Sequence, residues 1–498
     1  MENKLTKKYG LFTAICMVVG IVIGSGIFFK AQDVLKATAG DALMGVLAWA
    51  IGGAIMAVLA VTFGIMATKY EKVGGIVDYA ESTCGKTYAY FLGWFVSVIY
   101  YPAMTAVLAW VSARYTLVAL GYFDAPTAFL PEEGLVSAFD CPECMVLAAL
   151  YLIVIYFMNA IAPSLSGKFQ VSTTVIKLIP IAFIAIVGTI IGLASGNLAE
   201  NVGFATGAAG SDFAGGATVG EGNLFTAICC TVFAFEGWII ATSINAEIKD
   251  AKKNLPIALG LGAAIIAGAY ILYYVGILGL TDMNSLGTNG TSAAYSAAFG
   301  TAGAAIINVL VIVSCLGTLN GLMLGCTRGF YALAARGEGI SPDTLGQVDK
   351  KTNMPHNSAS LALFICILWL AYFVGSQFFG WFGEYAFDSS ELPVVTVYPM
   401  YIPIIIAFAK KSKELHPVKR FVLPALSTIG AGIVVAASIV SHGIENVWYL
   451  ILFTAIMGIG AIFYRWDGSS SPMDKLLARL VKGKPAADAV AEPAEDTE

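Results

Sequence analysis

Charge is scarce in this sequence. Only 12% of its 498 residues are Asp, Glu, Lys or Arg, against 58% hydrophobic, and the mean hydropathy is +0.78. Soluble domains carry about a quarter charged residues, so a soluble fold is excluded and a polytopic membrane protein is expected. Histidine is scarcer still. His356, His416 and His442 fall in or beside loops and make no metal-ligand spacing, so a metal-dependent membrane enzyme is not expected. There is no glycine–lysine phosphate loop, no zinc-protease motif and no basic face. Cofactors and nucleic-acid partners are therefore not expected. A cleavable leader is not expected either, because the first apolar run lacks a small-residue cleavage site and resembles the runs that follow. The nine cysteines lie mostly in apolar spans, where a thiol behaves as a small hydrophobe. The close pair in a polar stretch is Cys141 and Cys144.

What the chain does have is long apolar runs. A spanning helix needs about 20 mostly apolar residues. Twelve such runs occur, near 11–39, 44–68, 88–120, 144–161, 169–195, 224–246, 256–280, 300–327, 358–376, 390–408, 421–441 and 446–464. The tenth is interrupted by Pro393, Pro399 and Pro403. Positive charge stays on the cytoplasmic side during insertion. With a cytoplasmic N-terminus, 24 of the 28 basic residues fall in inner segments, only Lys30 and Lys36 in outer ones, and Arg114 and Lys177 within spans. The outer segments 121–143 and 196–223 hold acids and no lysine or arginine. The expectation is twelve helices in a plasma (inner) membrane, with a cytoplasmic N-terminus (1–10) and a cytoplasmic tail (465–498). The tail's last part reads as disordered, and Met473 to Val481 as an amphipathic stretch on the inner surface.

Two of these spans carry a break. Gly24, Ser25 and Gly26 interrupt the first, and a glycine in a helix interior costs about 1 kcal/mol relative to alanine. In lipid a broken helix persists only where protein or a watery cavity partners the freed backbone. The amides just past it open a second half-helix whose positive dipole end suits a carboxylate. Close packing of another helix against the glycines is the alternative. The sixth span contains Phe233-Ala234-Phe235-Glu236-Gly237-Trp238, an acid beside a glycine near mid-membrane. As the first helix after five, it answers the first span. Two interrupted helices at matching positions point to an inverted repeat with its binding site between them. Carbonyls released at the second break suit an ammonium, so the two breaks together would grip an amino acid.

Two charges sit deep in the spans. A charge at mid-membrane costs about 3 kcal/mol on insertion scales and is usually functional or paired. Glu236 therefore reads as a site residue, with a structural pair or a protonated carboxyl as the alternative. Lys177, three residues before Pro180 and about 12 Å into its helix, reads as a fixed or titrating cation or as a helix cross-link.

Several of these motifs together resemble the amino acid–polyamine–organocation superfamily, over roughly residues 8 to 465. Within it the likeness is to the L-type amino-acid transporters and the bacterial serine/threonine-exchanger type. Gly24-Ser25-Gly26-Ile27-Phe28 looks like the first-helix motif. Gly74-Gly75-Ile76-Val77-Asp78-Tyr79 resembles the entry to the third helix, and Phe233 to Trp238 the sixth-helix motif. Lys252-Lys253-Asn254-Leu255-Pro256 is similar to the loop after it, and Leu319-Asn320-Gly321 with Arg328 and Tyr331 to the eighth helix.

The resemblance implies an all-α fold of the LeuT type, a five-plus-five inverted repeat with helices 1 and 6 broken. The first repeat would be 11–195 and the second 224–408, with two further helices in 421–464. It implies that Ser25, Gly26 and Ile27, with Gly24 in the same site, meet a substrate carboxylate, and that carbonyls around Phe233, Ala234 and Phe235 meet its amine. Asn320 would join the same site and Phe233 would serve as an aromatic gate. Lys177 would stand where related folds place sodium, as the coupling residue. The implied function is secondary active transport of neutral, small or polar L-amino acids by sodium-independent exchange or proton-coupled symport. Cationic amino-acid or polyamine exchange is the alternative, with a non-transporting sensor behind it. L-type members commonly have glycine where Glu236 stands. Cys141 lies where animal members link a heavy-chain glycoprotein, but the nearby Cys144 suits a local pair equally, and such a partner is not expected.

Overall fold

In lipid every backbone N–H and C=O must find its partner within the protein, and a helix meets that demand segment by segment. The computed structural model accordingly shows a nearly all-helical chain. It describes residues 7, 9–70, 74–120, 142–213, 217–389, 392–466 and 471–473. In order, the helices are α1 (Leu11–Val22), α2 (Gly26–Ala37), α3 (Ala42–Lys69), α4 (Ile76–Cys84), α5 (Lys86–Ala119) and α6 (Pro142–Ile161). They continue with α7 (Pro163–Ser195), α8 (Asn197–Gly207), α9 (Leu224–Phe235), α10 (Ala251–Leu280), α11 (Met283–Ala334) and α12 (Pro342–Leu345). The last four are α13 (His356–Phe378), α14 (Pro393–Lys411), α15 (Val418–His442) and α16 (Glu445–Phe463). Among the described residues the only strands are the two-residue antiparallel pair Asp212–Phe213 and Ala217–Thr218.

Eleven stretches among the described residues are long and apolar enough to cross a membrane. The first expected span, 11–39, does not count by length because it is two short helices, α1 and α2, either side of residues 23–25. The tenth run is one continuous helix, α14, although Pro399 and Pro403 lie inside it. Another expected span, 300–327, lies inside a longer element, α11, which bends at Gly290 (φ 69°) and Gly300 (φ 69°). The expected amphipathic stretch is outside the described residues from 474 onward, as is Cys141. Cys144 is buried beside the Trp110 carbonyl.

Burial separates the centre of the bundle from its edge. The apolar window of α5 is 83% buried within the protein and that of α16 only 17%, so α5 runs through the middle and α16 faces outward. Midway along α5 a π-turn spans Val96–Tyr100. Such a bulge frees a carbonyl and is frequent at functional sites. Here the Val98 carbonyl accepts from Trp369 Nε1 at 2.7 Å. The extra residue in the turn also brings Tyr100 to the sixth-span break described below.

Candidate functional site

The two breaks meet across one cavity. An empty space of about 490 Å³ is bounded by Gly24, Ser25 and Gly26 at the first break and by Phe233, Ala234 and Glu236 at the second. Ile21 and Val22 of α1, four apolar residues of α5 (Met104 to Val111), and Thr318 and Leu322 of α11 close its other walls. Its lining, mostly apolar with a few polar groups, has the character of a small-molecule site.

The first break is held by side chains from two other helices. Lys177 of α7, wholly buried, donates to the Gly20 carbonyl at 2.8 Å, the Ile23 carbonyl at 2.5 Å and Thr318 Oγ1 at 3.0 Å. Thr318 donates to the same carbonyls, at 3.1 and 2.7 Å, and Ser314 to that of Gly24 at 3.2 Å. A positive group at a helix C-terminus interacts favourably with the dipole, so the ammonium caps the end of α1. Beyond it, α2 opens with the Gly26 and Ile27 amides, which have no acceptor inside the helix, while the Phe28 amide donates to the Ser25 carbonyl at 2.9 Å. Gly26 is required there, since a Cβ at that position would stand 2.9 Å from the Ala234 Cα of the facing segment.

The second break is built differently. Helix α9 ends at Glu236 in an extended conformation, and Gly237 follows in the left-handed region at φ 97°, where a Cβ is disfavoured. The chain then continues as a 3₁₀ segment, Trp238–Glu247. Glu236 is buried and accepts from the Tyr100 hydroxyl, with Tyr398 and Tyr401 of α14 flanking the same carboxylate. Tyr270 of α10 links the two breaks. Its hydroxyl lies 3.2 Å from the Val22 carbonyl and 3.1 Å from that of Ala234.

The expected site residues therefore divide. Gly24, Ser25, Gly26, Phe233, Ala234 and Glu236 line the cavity. Ile27 and Phe235 are buried beside it and outside its lining, Phe235 packed on Trp49 and Tyr270. Asn320 also lies outside the lining, in a polar cluster behind it. It accepts from Asn159 Nδ2 at 2.9 Å and Ser166 Oγ at 3.0 Å, and donates to Gln170 Oε1 at 2.7 Å. Lys177 touches the wall from behind, through Thr318.

Sequence reasoning passed over Tyr100, Tyr398 and Thr318, whose residue types are common and whose spacing carries no signal. It also passed over the ion pairs at the Tyr9 end of the bundle. There Arg328, within the last turns of α11, donates to Glu247 at 2.7 and 2.5 Å. Arg336 pairs with Asp78 and, at 3.2 Å, with Glu81. The Tyr9 amide adds a bond to the Glu247 carbonyl at 2.9 Å. Together these contacts tie the first segment, the 3₁₀ segment, α4 and α11 across that end.

Comparison with known proteins agrees with this architecture. The model of the amino acid permease family matches residues 9–462. The serine/threonine exchanger SteT of Bacillus subtilis (strain 168) is 28% identical over 453 residues, covering 88% of this chain and 93% of the relative. The b(0,+)-type amino acid transporter 1 of Mus musculus is 24% identical over 472 residues, 93% of this chain and 88% of that one. The human large neutral amino acids transporter small subunit 2 is 27% identical over 384 residues, 75% of this chain and 65% of that protein.

Proposed function

The chain belongs to the amino acid permease family, a family of membrane transporters and not of enzymes, and on that premise we propose how it handles its substrate. It moves neutral, small or polar L-amino acids by sodium-independent exchange or proton-coupled symport. The observation that carries this reading is the cavity bounded by both helix breaks. The amides opening α2 suit an α-carboxylate, and the carbonyl end of α9 with Glu236 suits an α-ammonium. Phe233, half-buried on the cavity wall, is the gate over the bound amino acid. The Lys177 ammonium occupies the place a sodium ion would take, so no sodium is needed.

The proposed frame is twelve spans arranged as two inverted repeats, 11–195 and 224–408, in a plasma membrane with the Tyr9 end toward the cytoplasm. The ion pairs of Glu247–Arg328 and Asp78–Arg336 then shut the cytoplasmic route, and alternating access requires them to open. Small or polar substrates are favoured because the serine/threonine exchanger is a relative over nearly its whole length. A second reading, cationic substrates, rests on the Glu236 carboxylate in the wall. Purified protein in liposomes, tested for uptake and counterflow with radiolabelled serine, alanine, leucine, lysine and arginine, decides between them. Uptake of none of these would defeat the transport reading and leave a sensor.

A further inference from the structure

Helix α2 carries a lysine where it passes the gate. Lys30 lies one turn beyond the first break, and its side chain is only 7% exposed. Two groups hold it. Its Nζ lies 2.9 Å from Asp33 Oδ2, one turn further along the same helix, and 5.2 Å from the centroid of the Phe233 ring. An ammonium within about 6 Å of an aromatic face is attracted by the ring quadrupole, more strongly when both are desolvated. Asp33, on the side away from the break, is the neighbouring carboxylate of that amine.

The other face of α2 is anchored. Thr291 Oγ1 of α11 donates to the Phe28 carbonyl at 2.7 Å, and Gln32 Nε2 donates to the Gly287 carbonyl at 3.0 Å. Lys30 therefore reaches Phe233 from a helix already fastened to α11. Phe233 itself is the half-buried aromatic of the cavity wall, at the end of α9.

We infer that Lys30 is a positioning residue for the gate: its ammonium latches the Phe233 ring over the cavity and so couples α2 to α9 when substrate is held. The inference rests on the transport reading for its consequence, and on geometry alone for the contact. A cation–π contact differs from packing in requiring both partners. Removing the charge should matter only while the ring is aromatic.

The test is a double-mutant cycle of Lys30→Met and Phe233→Leu, with Lys30→Arg as the variant that keeps the charge. It is read in two ways, as the melting temperature of substrate-free protein in detergent and as KM for radiolabelled L-serine in liposomes. Lys30→Met should raise KM about three- to tenfold and lower the melting temperature. Lys30→Arg should stay near wild type in both. In the Phe233→Leu background, Lys30→Met should change neither further. Equal effects of Lys30→Met in both backgrounds, or an unchanged KM in the Phe233 background, would overturn the latch. Failure of the transport reading looks different: wild type would take up no amino acid while the melting cycle stayed coupled.

Discussion

The two breaks are both helix ends that leave carbonyls exposed at mid-bundle, yet they are completed in opposite ways. At the end of α1 a buried cation, Lys177, sits on the carbonyls, as the negative end of a helix dipole favours. At the end of α9 an acid, Glu236, sits where the dipole disfavours it. The groups that reach that carboxylate among the described residues are tyrosine hydroxyls and the Gly237 amide. The carbonyl end of α1 is thus covered by the protein's own side chains. At the second, the proposed reading has a ligand's ammonium complete the carbonyl end of α9 beside Glu236. On the proposed reading the carbonyl end of α1 is scaffold and the carbonyl end of α9 is recognition, and mutations should separate them.

The largest effect should come from removing the scaffold cation. Lys177→Met leaves the Gly20 and Ile23 carbonyls with Thr318 alone, and a buried group that loses its partner costs about 1–3 kcal/mol. We expect uptake to fall by up to about 100-fold for every substrate alike, with a lower melting temperature. Wild-type uptake should be indifferent to replacing sodium with choline. A steep sodium dependence in wild type would break the comparison at its first half.

Next in size is the recognition acid. Losing an ion pair in a dry site costs a few kcal/mol, or about 100-fold in affinity for the substrates that depend on it. Glu236→Gln should therefore weaken binding selectively, while leaving the melting temperature of the empty protein near wild type. Competition assays with serine, alanine, leucine, lysine and arginine read the pattern. Loss confined to lysine and arginine would make the cationic reading the better one. Equal affinities in Glu236→Gln and wild type would remove the residue from recognition.

How much of this was legible beforehand differs between the two breaks for a physical reason. Both were visible, because glycine within a long apolar run is conspicuous, and so were the two charges, because lipid makes a charge costly. The partners were not. Tyr100 is one of 22 tyrosines, and it reaches Glu236 because of a π-turn at Val96–Tyr100 that no periodicity announces. Thr318 looks like any helix threonine until α11 packs against α1. Asn320 lies in a motif beside these residues but points its amide into the cluster of Asn159, Ser166 and Gln170. Motif and cavity thus agree on the backbone of the breaks and diverge at side chains placed by packing. The same applies to Lys30, which the loop-charge count assigns to the outer side and the fold seats against Phe233.

The smallest and most discriminating test removes one hydroxyl from each break. Tyr100→Phe deletes the hydroxyl that donates to Glu236, and Thr318→Val deletes the one that donates to the Gly20 and Ile23 carbonyls. Each change is nearly isosteric and costs about 1 kcal/mol where the bond stabilises. What differs is the state in which the loss is felt. At the first break Lys177 still covers both carbonyls, so Thr318→Val should lower the melting temperature slightly and shift KM less than about threefold. At the second, the proposed reading has Tyr100 share the Glu236 carboxylate with the incoming ammonium, so its removal would act on the bound state. Tyr100→Phe should therefore shift KM by about three- to tenfold in one direction and barely move the melting temperature of the empty protein. Measuring melting temperature and KM for both variants in one lipid gives four numbers. The division into scaffold and recognition requires the larger thermal change in Thr318→Val and the larger KM change in Tyr100→Phe. The reverse pattern would mean that the first break, and not the second, is where the substrate is chosen.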